Sequence, residues 1–389
     1  MRARIASVDA LRGFVMIIMA LDHVRDFFHV GAMSFSPEDL SKTSAALFFT
    51  RWITHICAPV FMFTAGMSVS FLLSRGRTKS YVSRFLWTRG LWLAFLDIVV
   101  VRFGFNFSFS SGPLIINVLW ALGWSMIVLS VLIHLPMRVL AVFSVAVMAL
   151  HNLADPVNAG QFGRFNWLWI FAHQPGMIPV NGAPVILAYP IVPWFAVMAA
   201  GYCFGGIFHL PPEDRRRWMI RIGLGLTTAF FVIRGINVYG DPQPWTTKFP
   251  GMTVLSFLRC TKYPPSLDFL LMTLGPALLL LAWFDRLEWK PANPLIVFGR
   301  VPLFYFVLHL YLAHLIAFPL AWIRYGHAGF LFTPAPSMGG SADVYPAGYG
   351  YSLGTVYVLW LVVVVLLYPV CLWFARLKER RRDWWLSYI

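Results

Sequence analysis

The chain has 389 residues, of which 59% are hydrophobic and only 12% charged, with a mean hydropathy of +0.69. Soluble domains carry roughly a quarter charged residues, so this composition excludes an ordinary soluble protein and indicates a polytopic membrane protein. The net charge of +15 does not select nucleic acid as a partner, because the basic residues fall in alternate loops rather than on one soluble face.

The first apolar stretch, residues 7 to 28 (SVDALRGFVMIIMALDHVRDFF), is too long and too polar for a cleavable signal, and it is expected to be a retained span. At helical spacing Arg12, Met16, Met19, His23 and Asp26 form one stripe along it. Unpaired charge in hydrocarbon costs at least a few kcal/mol, so such residues are functional candidates by default. Nine further apolar spans are predicted at about 48 to 74, 84 to 103, 115 to 133, 137 to 152, 184 to 208, 218 to 238, 266 to 284, 298 to 322 and 350 to 376. The aromatic segment 162 to 172 reads as interfacial or re-entrant rather than as an eleventh helix. The expected fold is therefore all-α, a single bundle of about ten transmembrane helices over residues 1 to 389.

Ten crossings return the chain to its starting side. Placing that side in the cytoplasm gathers Arg2, Arg4, Arg75, Arg77, Lys79, Arg215 to Arg217 and Arg376 to Arg382 on the inner face, which supports an N-in, C-in topology by the positive-inside rule. The basic run at 376 to 382 then anchors to anionic membrane lipid. The outer loops, at 104 to 114, 153 to 183, 239 to 265 and 325 to 349, are long and aromatic, as binding surfaces often are. The four cysteines show no metal-like spacing, and no metal is expected. No internal repeat of the transporter kind is visible.

With this topology His23, Asp26, His55, Arg102, Arg234, Arg259 and His309 can converge in the outer half of the membrane, with Lys262, Tyr263 and Tyr305 nearby. A histidine beside a carboxylate suits a general base or nucleophile, since the carboxylate fixes its tautomer and stabilises its charge. His23 and Asp26 have that spacing, although Asp22 and Arg25 compete for the pairing. Asp9 and Arg12 read either as an interfacial ion pair or as a group receiving the phosphates of a cofactor. No G-x-S-x-G elbow, HExxH or Walker sequence is present, which disfavours hydrolase, zinc protease and nucleotide-driven pump.

The opening R-x-x-S-V-D-A-L-R-G-F, the segment THICAPVFMFTAG at 54 to 66, YPIVPWFAVMAAGY at 189 to 202, KYPPSLDFLLMTLGP at 262 to 276 and FGRVPLFYFVLH at 298 to 309 resemble the bacterial branch of the heparan-alpha-glucosaminide N-acetyltransferase catalytic-domain family. The resemblance implies an integral membrane acyltransferase of the bacterial inner membrane that takes an acyl group, with acetyl the expected one, from cytoplasmic acyl-CoA. It would deliver that group to an extracytoplasmic sugar or glycan acceptor. His23 would be the general base or transient acyl acceptor, Asp26 would orient it, His55 and His309 would assist, and Asp9 and Arg12 would lie at the CoA end. Arg102, Arg234, Arg259, Lys262, Tyr263 and Tyr305 would bind substrate. The lysosomal relatives act through a histidine in the loop ahead of the segment matched by Pro59 to Gly66. No histidine stands at that loop position here, and the extra luminal domain of those relatives is not expected. A homodimer is compatible with this reading. The alternative function is a proton-coupled transporter of a small anionic metabolite, in which His23 and Asp26 titrate; a non-catalytic scaffold is the third.

Overall fold

The computed structural model describes residues 5–389 apart from 110–111, 181–182, 249, 337–339 and 382, with side chains left out at 33 and 183. Arg2, Arg4 and Arg382, counted above among the inner basic groups, lie outside the described residues. The helices are α1 (Ala6–Phe28), α2 (Ala45–Trp52), α3 (Cys57–Ser74), α4 (Lys79–Leu96), α5 (Arg102–Asn106), α6 (Val118–Leu132), α7 (Met137–Leu150) and α8 (Asn166–Ala172). They continue with α9 (Trp194–Phe204), α10 (Pro212–Ile236), α11 (Thr253–Leu258), α12 (Leu267–Phe284), α13 (Pro294–Arg300), α14 (Pro302–Tyr325) and α15 (Leu353–Arg380). Six stretches are long and apolar enough to cross a membrane: 45–74, 137–154, 212–236, 267–284, 302–325 and 353–380. The other predicted spans are helical over most of their length. Helices α1 and α4 are long but carry more charge, and α6 and α9 are apolar but shorter.

Local chemistry explains the element ends. Ser44, Thr78, Ser266 and Ser352 each accept a hydrogen bond from a backbone N–H of the first turn that follows, at α2, α4, α12 and α15. Helix α10 starts on a proline with Glu213 and Asp214 in its first turn, and ends with Arg234 in its last, matching the helix dipole.

The all-α expectation holds for the bundle, with one addition. A three-stranded sheet joins β1 (Leu114–Ile116), β2 (Gly176–Val180) and β3 (Ala183–Leu187) in the order β1-β3-β2, with β1 parallel and β2 antiparallel to β3. The span expected at 184 to 208 therefore begins as a strand and becomes helical only at Trp194, because Pro184, Pro190 and Pro193 deny the first ten residues a helical ladder. Segment 162 to 172 is a 3-10 turn followed by α8, far too short to cross. The span at 298 to 322 is broken at Val301, ahead of Pro302.

Helix α1 lies at the centre, against α3, α12, α13, α14 and α15. Its closest neighbour is α13, where two glycines let the backbones meet. A Cβ at Gly13 would fall 1.8 Å from the Leu295 oxygen, and one at Gly299 would fall 1.7 Å from the Asp9 oxygen. Gly66 and Gly201 do the same between α3 and α9. Association through small residues is how helices pack where no water drives it.

Candidate active site

Two cavities flank the middle of α1. The first, about 550 Å³, is lined by Met19, Asp22, His23, Arg25 and Asp26 of α1, with Arg51, Tyr189, Lys262 and Tyr263 opposite. The second, about 440 Å³, opens at the end of the bundle where the described parts of both termini meet, and takes in Asp9, Arg12, Met16, Lys378 and Ile389. Phe61, Val118 and Phe306 belong to the walls of both. The polar stripe of α1 thus has its Arg12 end in one cavity and its His23 end in the other.

In the first cavity His23 is held by another histidine. His23 Nδ1 lies 2.6 Å from His309 Nε2, and His309 Nδ1 lies 3.1 Å from the Tyr305 carbonyl oxygen. A carbonyl only accepts, so His309 carries its proton on Nδ1. Its Nε2 then accepts from His23 Nδ1–H, which leaves the lone pair of His23 on Nε2. Phe105 and Phe306 meet the ring edge-on at 5.8 and 6.1 Å and fix its plane. The ring thus rests against Phe306 of the shared wall, with an Nε2 lone pair that could accept a proton or attack a carbonyl.

The carboxylates are engaged elsewhere. Asp26 accepts from Arg25 at 2.6 Å rather than pairing with His23, and Asp22 is gripped by Arg25 at 2.6 Å and by Arg51. Together they form a buried four-residue network that braces the wall of the cavity. Lys262 sits 5.3 Å over the Tyr263 ring, and among the described residues no ion pair engages its ammonium. Burial alone would push the Tyr263 phenol up, but Lys262 and Arg51 outweigh it and hold it below its ordinary value. Tyr189 and Tyr263 meet hydroxyl to hydroxyl at 3.3 Å.

The remaining sequence candidates take supporting positions. His55 is buried outside the cavity with Nε2 2.8 Å from Glu38 Oε1. Burial would raise the Glu38 carboxyl, yet His55 pulls it down to about 2. Arg234 donates to the carbonyls of Phe257, Gln243, Ser256 and Arg259 at 2.7 to 3.2 Å, and lies near Asp268 and Asp241. Asp241 in turn accepts from Thr261 and Ser266, which frame Lys262 and Tyr263. Arg234 therefore positions the loop that carries two lining residues, and Arg259 contributes a carbonyl. Tyr305 is buried behind His309 and acts through its backbone. Arg102 donates to the Phe109 carbonyl at 2.9 Å, away from the cavity. Of the predicted residues, His23, Asp26, Lys262 and Tyr263 line one cavity, with His309 and Tyr305 directly behind.

Residues not put forward as site members include Arg51, Tyr189 and Asp97. Asp97 lies in a π-helical turn, Asp97–Val101, and its Oδ2 accepts from the Asn117 backbone N–H at 2.6 Å, fixing the start of α6 against the cavity. The signal for it was a lone carboxylate within the apolar run LAFLDIVVV.

The second cavity is strongly basic. Arg12, Arg75, Arg89, Arg300 and Lys378 line it, with Asp9 as the acid, while Phe61, Leu86, Leu119 and Met126 supply apolar wall. Arg12 donates to the Thr64 carbonyl at 2.5 Å and to the Ser68 hydroxyl, and lies 3.9 Å from Asp9. Such a cluster above an apolar slot suits a polyanion with an apolar or thioester tail.

No curated protein matches the chain. The match to a family model stops before the loop of Lys262 and before α14, so half of the His23–His309 pair lies beyond it. Residues 4–238, more than half of the chain, match the model described as heparan-alpha-glucosaminide N-acetyltransferase, catalytic, and the chain belongs to that family of transmembrane acetyltransferases.

Proposed function

We propose that the protein is a multi-pass membrane acyltransferase that moves an acyl group, acetyl in the first instance, from acyl-CoA in the basic cavity to an acceptor in the His23 cavity. The observation that carries this is the shared wall: Phe61, Val118 and Phe306 line both the phosphate-compatible slot and the cavity of the histidine with a lone pair. The basic end faces the cytoplasm, in keeping with the positive-inside rule and a bacterial inner membrane. In the reaction, His23 Nε2 takes the proton of the acceptor amine or hydroxyl as that group attacks the thioester carbonyl. The C–S bond breaks, and the proton passes to the departing CoA thiolate. Alternatively Nε2 itself attacks, the thiolate leaves, and the acyl-imidazole is then cleaved by the acceptor. His309 holds the ring and spreads the positive charge in either case. Lys262 faces the carbonyl oxygen or an anionic acceptor group, and the Tyr189–Tyr263 pair packs against a sugar.

The test is purified protein in detergent with labelled acetyl-CoA and a panel of amino sugars and glycans. Acceptor-dependent CoA release, abolished by His23→Ala in a folded protein, supports the reading. Absence of release with every acceptor, together with proton-dependent anion flux in liposomes, would replace it with the transporter.

A further inference from the structure

Outside both cavities, beyond the end of α7, three side chains from two separate segments converge. His151, Asp155 and His173 each present a ligand atom, and these atoms lie within 4.8 Å of one another. His173 Nε2 is 3.0 Å from Asp155 Oδ1, and the His151 and His173 rings meet edge to face at 5.7 Å. The second carboxylate oxygen, Asp155 Oδ2, accepts from Asn152 Nδ2 at 2.7 Å, so the group is already oriented with Oδ1 turned to the histidines.

His151 is the observation that points to a ligand. It is only 7% exposed, yet neither ring nitrogen has a hydrogen-bond partner among the described residues. A buried imidazole N–H left without an acceptor costs about 1–3 kcal/mol. It also sits against the one carboxylate–histidine pair of this region, so the orphaned nitrogen and the cluster are one feature. Coordination resolves both at once, because a metal takes a lone pair from each neutral imidazole and a charge from the carboxylate.

We propose that His151, Asp155 and His173 form a site for a divalent transition metal, Zn²⁺ by the ligand set. Two imidazoles and one carboxylate make the three protein ligands of an open tetrahedral site, with water in the fourth position. Ligand atoms around tetrahedral zinc stand roughly 3.4 Å apart, given metal–ligand distances of about 2.0–2.2 Å. The observed spread of 3.0 Å to at most 4.8 Å is reached from there by small side-chain rotations.

The site acts as a brace. His151 and Asp155 follow α7, and Asn152 Oδ1 also accepts from the Leu267 N–H at the start of α12, at 2.8 Å. His173 ends α8, whose Phe171 and Ala172 carbonyls accept from the Ile191 and Val192 N–H groups. Those two residues directly follow the segment that brings Tyr189 to the His23 cavity. A metal here ties α7, α8, α12 and the Tyr189 segment into one unit without touching the reacting groups.

The experiment uses tag-free full-length protein in detergent, stripped with chelator, dialysed, and reloaded with ZnCl₂. Metal content is measured by mass spectrometry and stability by thermal melting. About one zinc retained per chain and a higher melting temperature are expected for the wild type. His151→Gln, Asp155→Asn and His173→Gln should each weaken zinc binding by about tenfold or more and lose the metal-dependent rise in melting temperature. A wild type that keeps no zinc and melts at the same temperature with or without it overturns the proposal, leaving His173 and Asp155 as a simple ion pair. Equal zinc retention by the triple variant overturns it as well. Co²⁺ loading of the wild type needs no variant. Intense tetrahedral-type absorption supports the site, and the weak bands of six-coordinate aquo cobalt count against it. None of these readouts depends on acyl transfer, so they stand apart from the proposed reaction.

Discussion

Replacing His309 with alanine removes the acceptor of His23 Nδ1–H and frees the His23 ring, the proposed base or nucleophile, to adopt either tautomer. The bond is 2.6 Å long between a fully buried ring and a partly buried one. While both rings are neutral it is worth about 0.5–1.5 kcal/mol, but once His23 Nε2 takes a proton or an acyl group the donor is charged, and the bond rises to about 1.5–3 kcal/mol. Only that difference, on the order of 1–1.5 kcal/mol, lowers the barrier, which is about five- to fifteenfold in kcat. Loss of the correct tautomer adds to it, so His309→Ala should lose at least tenfold in kcat with little change in KM for acetyl-CoA. His309→Gln offers a carbonyl oxygen near the same position and should recover part of the loss. CoA release measured under saturating acceptor, with thermal melting as the folding control, reads the effect. A folded His309→Ala enzyme with wild-type kcat would refute the assignment of tautomers, and equal loss in the glutamine and alanine variants would show that packing, not the hydrogen bond, is at work.

Asp22→Ala leaves Arg25 and Arg51 buried without their shared carboxylate, and should destabilise the fold by about 3–5 kcal/mol, seen as a large drop in melting temperature. Gly299→Ala forces a Cβ onto the Asp9 carbonyl; overpacking of this kind costs about 1–3 kcal/mol, so it should lower melting temperature and, by shifting α1, activity. Arg12→Ala and Arg89→Ala should raise KM for acetyl-CoA more than they lower kcat, and the KM of the wild type should rise with salt; an unchanged KM in both variants would remove CoA from this cavity. Glu38 has a carboxyl held down to about 2, against an ordinary 4.5, so its contribution to stability is complete above about pH 4.5 and is lost as pH falls towards 2. Glu38→Gln should therefore flatten the acid side of the melting-temperature profile, and an identical profile would show that the loop is not held by this group.

The helical bundle was legible because long apolar runs interrupted by basic loops have few other solutions, and α1 stood out because ionisable residues in a span demand partners. Which partners they find is a tertiary matter. His23 and Asp26 have the spacing of a dyad, yet Arg25 is closer to Asp26 and carries a full charge, so the carboxylate goes there and His23 turns to His309 on a different helix. A sequence shows that a charge is present but not what engages it: the Arg234 guanidinium is taken up by backbone carbonyls, that of Arg259 among them, while Arg51 reaches Asp22 on the cavity wall. The small sheet was hidden because its strands are only three to five residues long and lie in stretches read as loop or span.

The arrangement around α1 also favours the proposed acyl transfer over the transport that the polar stripe allowed. A proton-coupled transporter needs one site reached in turn from each side, with the titrating groups at that site. Here the cations that suit phosphate and the histidine pair occupy different cavities, and both cavities are present together in a single conformation. A substrate carried whole through the protein would have to pass Phe61, Val118 and Phe306 with all its charge. In the proposed reaction an acyl group would pass them as two or a few apolar carbon atoms, leaving the phosphates among Arg12, Arg75 and Arg89 and the polar acceptor among Lys262, Tyr189 and Tyr263. Under the proposed function, transport would be hindered and the acyl group selected by the shared wall. Phe306→Ala, which widens it, is therefore expected to admit longer acyl chains from the basic side while leaving binding of acetyl-CoA intact, and competition among acyl-CoAs of increasing chain length measures the change. If the preference for chain length stays as in the wild type, the acyl group does not cross at Phe306.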